Sequence, residues 1–104
     1  MSEHITISVD ESLSDLIPGF LERKRADVQS ILDALPRHDY ERVRRAAHRL
    51  KGEGGAYGFD AMTELARVIE RALAAHDDTA IKRHAEALLN YVDRVKVVFH
   101  PAEE

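Results

Sequence analysis

From Leu13 to Phe99 the apolar residues recur at i, i+3, i+4 and i+7, and only short polar or proline-containing stretches break the pattern. Leu13, Leu16, Ile17, Phe20, Leu21, Val28, Ile31, Leu32 and Leu35 form the first stripe. Pro18 interrupts it early, so the spacing predicts a short leading turn and a main helix beginning near Ile17. Pro36-Arg37-His38 ends that helix, and Asp39 can cap the next. Tyr40, Val43, Ala47 and Leu50 mark a second stripe. Met62, Leu65, Ala66, Ile69 and Leu73 mark a third, with Asp60 as the expected cap. His76-Asp77-Asp78 turns the chain, and Ile81, Ala85, Leu88, Leu89, Val92, Val95 and Phe99 mark the last, a helix of roughly 30 Å. Amphipathic helices joined by short loops bury their faces against antiparallel neighbours. The expected fold is therefore all-α, an up-and-down four-helix bundle over residues 13–100. Ile5, Ile7 and Val9 alternate as a strand would. With no evident partner strand, residues 1–12 are expected to lie as an arm against the bundle, and residues 101–104 to form a frayed tail.

At 104 residues the chain has room for one small domain. Its net charge of −4 argues against a nucleic-acid-binding face, which phosphate backbones select to be basic. It has no cysteine, which removes disulfides, thiol catalysis and cysteine metal sites. The opening MSEHITISVDES carries acids and no apolar run of signal-peptide length, and no window approaches a membrane span. A cytoplasmic protein that binds neither nucleic acid nor membrane is expected. Met1 and the acidic tail favour a free-standing chain.

Four glycines, Gly52, Gly54, Gly55 and Gly58, crowd into AHRLKGEGGAYGF, directly after His48 and Lys51. Either the second helix stops near Lys51 and a flexible connection follows, or it runs on to about Tyr57 and Gly58 closes it in the left-handed conformation. Gly54 and Tyr57 extend the stripe of Val43, Ala47 and Leu50, which supports continuation. Three glycines within a helix cost about 2–3 kcal/mol relative to alanine, so their missing side chains must serve something. At 100° per residue His48 lies roughly 130° from the centre of the apolar stripe, out toward solvent. Glu41, Arg44, Arg45, Lys51, Gly52 and Gly55 share its side, Gly52 at i+4 and Gly55 at i+7. The implied object is an exposed imidazole flanked by cations, with bare backbone beside it for a partner to approach. A dinucleotide fingerprint starting at Gly52 would need glycine where Tyr57 stands, and GxxxxGK[ST] is absent.

His48, Lys51, Gly52, Gly55, Ala56 and Gly58 resemble, without gaps, the signature of histidine-containing phosphotransfer (HPt) domains: His, Lys at +3, Gly at +4, small residues at +7 and +8, Gly at +10. The stretch is also similar to the phosphotransfer domain of chemotaxis histidine kinases. Glu70 falls at +22, where the family tends to carry Gln or Glu, and the likeness extends over roughly Leu13 to Phe99. Arg67 stands where some chemotaxis-type domains place a second histidine, which favours the general phosphorelay type. Glu53 departs from the small or hydroxylated residue common there and is expected to be a bystander.

The resemblance implies a monomeric phosphoryl carrier without turnover of its own. His48 would accept the group through Nε2 from a receiver domain's aspartyl phosphate or a hybrid histidine kinase, and return it to a receiver. Glu70 would take a hydrogen bond from Nδ1–H, and Lys51, helped by Arg44 or Arg45, would offset phosphate charge. No cofactor is implied; Mg²⁺ would come with the receiver. A histidine side chain titrates in water at about 6.5 and is mostly neutral at pH 7, leaving one ring nitrogen free to attack. The other readings are a non-catalytic helical adaptor of the same shape and a metal- or haem-binding bundle. Against the latter, no histidine pair has i, i+4 spacing and no Glu-x-x-His occurs. His4, His38, His76, His84 and His100 are ordinary terminal, turn or half-buried residues on this reading.

Overall fold

The computed structural model describes residues 4–101. Ile5–Asp10 form strand β1, and Glu11–Leu16 make a 3-10 turn that leads into helix α1, Ile17–Ala34, with Pro18 in its first turn. Pro tolerates that position because the first helical N–H groups lack partners anyway. Leu35–Arg37 wind into a tighter turn and His38 adopts the left-handed conformation, φ 55°. Asp39 then caps α2, Tyr40–Gly54, its carboxylate accepting from the Arg42 amide. A further 3-10 turn, Gly55–Tyr57, carries the chain to Gly58 at φ 88°, a conformation suited to glycine. The second helix thus continues through the glycines, as its apolar stripe implies. α3 spans Asp60–Ala74 and α4 Asp78–Arg94, the latter capped by Asp77 on the Ala80 amide.

Each helix packs on the one before it, and α4 closes back on α1, so the four enclose one core. Phe20, Val28 and Ile31 from α1, Val43, Ala47 and Leu50 from α2, Met62 and Ile69 from α3, and Ile81 and Leu88 from α4 are all buried. These are stripe positions. No helix among the described residues is long and apolar enough to cross a membrane.

Two expectations need correction. The last helix ends at Arg94 rather than Phe99, and Val95–His100 form strand β2, paired in parallel with β1 from Ile5↔Val95 to Asp10↔His100. Val95-Lys96-Val97-Val98-Phe99 is rich in β-branched and aromatic residues, which favour extended backbone. The N-terminal segment is therefore one half of a two-stranded ribbon with a chain partner, not a lone arm. Register puts Ile5, Ile7 and Val9 on the same face as Val95, Val97 and Phe99. Ile5, Ile7, Val95 and Val97 pack against the core from that face. The other correction is the start of α3: Phe59 occupies the cap position, and its carbonyl accepts from the Met62 and Thr63 amides at 3.0 and 3.3 Å. Asp60 is the first helical residue, where its charge complements the helix dipole. Of the tail, residues 102–104 lie outside the described residues.

The ribbon is an accessory to the bundle, so the two should separate experimentally. Ile7→Asp places a charge on the half-buried face and should lower unfolding free energy by about 1–2 kcal/mol in a urea titration. The helical circular-dichroism signal of the native state should remain.

Candidate functional site

His48 lies on α2 on the flank turned toward α3, its side chain 70% exposed. Ala46, Ala47 and Leu50 around it in the helix are buried, so the backbone that carries the ring is fixed while the ring projects. What brings α3 alongside is a close approach at Gly54. A Cβ there would lie 2.9 Å from Thr63 Oγ1 and 3.2 Å from the Phe59 carbonyl oxygen. The Thr63 hydroxyl donates to the Lys51 carbonyl at 3.2 Å, and the Phe59 amide donates to the Gly54 carbonyl at 2.8 Å. Two turns beyond Thr63 on the same flank of α3, Glu70 reaches the His48 neighbourhood.

The Glu70 carboxylate divides its oxygens. Oε1 pairs with Lys51 Nζ at 2.9 Å, and Oε2 faces His48 Nδ1 at 3.9 Å. The second separation is a through-space contact, longer than a hydrogen bond. Arg44 and Arg45 both turn to Glu41. Arg44 holds it through two guanidinium contacts, and Arg45 Nη1 lies 3.8 Å away. The Arg44 hydrogen bonds keep the Glu41 carboxyl below the usual carboxylate range and push the Arg44 guanidinium upward, with Glu70 adding a smaller electrostatic contribution to Arg44. Every cation that the sequence nominates beside His48 thus has a carboxylate in hand.

The glycines divide into two kinds. Gly52 is exposed, and a side chain added there would meet nothing within 4 Å. Gly55, also exposed, would meet only Thr63 Oγ1, at 3.6 Å. Those two leave open backbone next to the imidazole. Gly54 is buried and serves packing.

The family model of the Hpt domain matches residues 15–97. The chain belongs to the Hpt family. No curated protein and no solved structure matches it. Hpt domains are phosphocarrier modules of two-component phosphorelays, working through phosphohistidine and acting with receiver or kinase partners. The match takes in all four helices, His48 and Glu70 included.

Sequence reasoning missed one group beside this site. Lys24 of α1, only 1% exposed, pairs with Asp27 Oδ2 at 2.8 Å and with Glu53 Oε1 at 3.1 Å. Glu53 is therefore no bystander. It is the second carboxylate, after Asp27, on a buried ammonium that burial makes costly to leave underpaired. The signal was present: Lys24 sits at a stripe position, between Phe20 and Val28, where an apolar residue belongs. Arg67 pairs with Glu64 at 2.9 Å.

The two kinds of glycine should answer oppositely to alanine. Gly52→Ala should raise stability by up to about 1 kcal/mol through helix propensity. Gly54→Ala should lower it by about 1–2 kcal/mol as crowding at Thr63 outweighs that gain. Urea midpoints of the two variants check both signs.

Proposed function

We propose that this Hpt domain relays phosphoryl groups through His48, taking them from the aspartyl phosphate of a receiver domain or from a hybrid histidine kinase and returning them to a receiver. The observation that carries the reading is the exposed imidazole with the Lys51–Glu70 pair beside it and open backbone at Gly52 and Gly55 further along the same flank of the helix. In the forward step the Nε2 lone pair attacks phosphorus, the Nε2–P bond forms as the aspartyl O–P bond breaks, and the aspartate leaves as a carboxylate. That step needs the neutral tautomer with its proton on Nδ1, and positive charge grows on the ring as it proceeds. Glu70 Oε2 is the anion nearest Nδ1 and would meet that charge, tightening to a hydrogen bond as the ring becomes cationic. Lys51 lies within reach of both partners: it can release Glu70 to bind a phosphoryl oxygen, so one carboxylate and one ammonium exchange roles as the group arrives. Arg44 and Arg45 would add diffuse positive charge, tempered by Glu41. Mg²⁺ would be carried by the receiver, and this domain would have no nucleotide site or turnover of its own.

Incubation with a phosphorylated receiver should label the protein with an acid-labile, alkali-stable phosphate, and His48→Gln should remove the label. Label persisting in that variant would place the acceptor elsewhere. An intact His48 that no receiver or kinase ever labels would favour the adaptor reading. Lys51→Ala should slow transfer about tenfold, the ~1.4 kcal/mol of one charge-assisted contact, while leaving the fold intact by circular dichroism. Rapid-quench transfer assays give that rate.

A further inference from the structure

The glycines that clear space beside His48 also weaken the helix that carries it, and what steadies that stretch lies on its opposite flank. Arg49 and Glu53 sit one turn apart on α2, with Tyr57 a turn later. α1 answers them in antiparallel order with Asp27, Lys24 and Phe20. Arg49 donates to Asp27 Oδ1 from Nε and Nη2 at 3.1 and 3.0 Å, Lys24 Nζ holds Glu53, and the Tyr57 ring centroid lies 4.4 Å from that of Phe20. Lys24 joins the three rungs. Its ammonium also takes Asp27 Oδ2, and it lies 5.8 Å from the centre of the Phe20 ring. An ion pair whose ammonium is this deeply buried adds little net stability over an apolar substitute, because desolvation offsets the attraction. What it does supply is direction: the ammonium is satisfied only when Glu53 and Asp27 are both in place.

We propose that Lys24 is a positioning residue for the His48 site. By binding Glu53 and Asp27 together it splints residues 49–57, the glycine-weakened end of α2 with the 3-10 turn after it, so that Lys51 and the open backbone at Gly52 stay in register with the imidazole. The splint grips Arg49, Glu53 and Tyr57, leaving the flank of His48, Gly52 and Gly55 open to a partner. Its effect on transfer rests on the function proposed above; its effect on helix order does not.

Amide hydrogen exchange and phosphoryl transfer together test it. Lys24→Met keeps the length of the side chain, leaves Asp27 with Arg49, and leaves Glu53 able to turn to water. In that variant amides of residues 50–58 should exchange about tenfold faster, with those of α3 and α4 changing much less. Transfer from a phosphorylated receiver should fall about tenfold. Adding Gly52→Ala should recover about fivefold of the exchange protection, since alanine strengthens the helix and meets no neighbour there. Should Lys24→Met fail to fold, Glu53→Gln opens the same rung from its exposed end and should raise exchange over the same residues about threefold. Exchange that rises uniformly along the chain, or stays unchanged over residues 50–58, overturns the proposal. If the parent protein accepts no phosphoryl group, the relay reading fails on its own, and exchange still decides the splint.

Discussion

The contact on which the site depends is the one that Gly54 makes by having no side chain. With Thr63 Oγ1 2.9 Å from where a Cβ would stand, α2 and α3 approach as closely as their backbones and one hydroxyl permit. Thr63 then fixes the register by donating to the Lys51 carbonyl. From that anchor two turns of α3 carry Glu70 to Lys51 and His48. A side chain at position 54 would force the helices apart, and the carboxylate would move with α3. Placement of the acid opposite the imidazole follows from a packing decision made elsewhere on the same pair of helices.

That contact sets a limit on the helix it serves. α2 carries glycine at 52 for openness and at 54 for packing, and each weakens the helix by roughly 1 kcal/mol relative to alanine. The compensation comes from both neighbours. α3 holds the Lys51 and Gly54 carbonyls, and α1 holds Arg49, Glu53 and Tyr57 through Asp27, Lys24 and Phe20. The histidine flank thus remains clear while the rest of the circumference is engaged.

Much of this was legible in the sequence. Helical spacing located four helices, because each buries a stripe, and the Asp39 cap follows from its chemistry. The glycine cluster with His48 and Lys51 could be placed on one flank of α2 from the sequence, since the angular arithmetic of a helix is local, and the structure sets Glu70 beside them. Pairings between distant segments were less visible. Val95–His100 continued a helical count by accident of Val95 and Phe99, and its partner β1 lies at the other end of the sequence. The stripe position of Lys24 hinted at burial, but its pairing with Glu53 exists only once α1 and α2 are laid side by side. The division of Glu70 between Lys51 and His48 depends on side-chain geometry that spacing does not encode.

The ribbon has a mechanical side. β1 and β2 run in the same direction, so the start of one lies beside the start of the other. A force drawing Ile5 and His100 apart would pull β1 from its beginning and β2 from its finish. The ladder would then be loaded lengthwise, in shear, with its hydrogen bonds sharing the strain instead of opening one after another like a zip. The clip that joins the extremities of this small bundle is therefore oriented to resist tension along the chain.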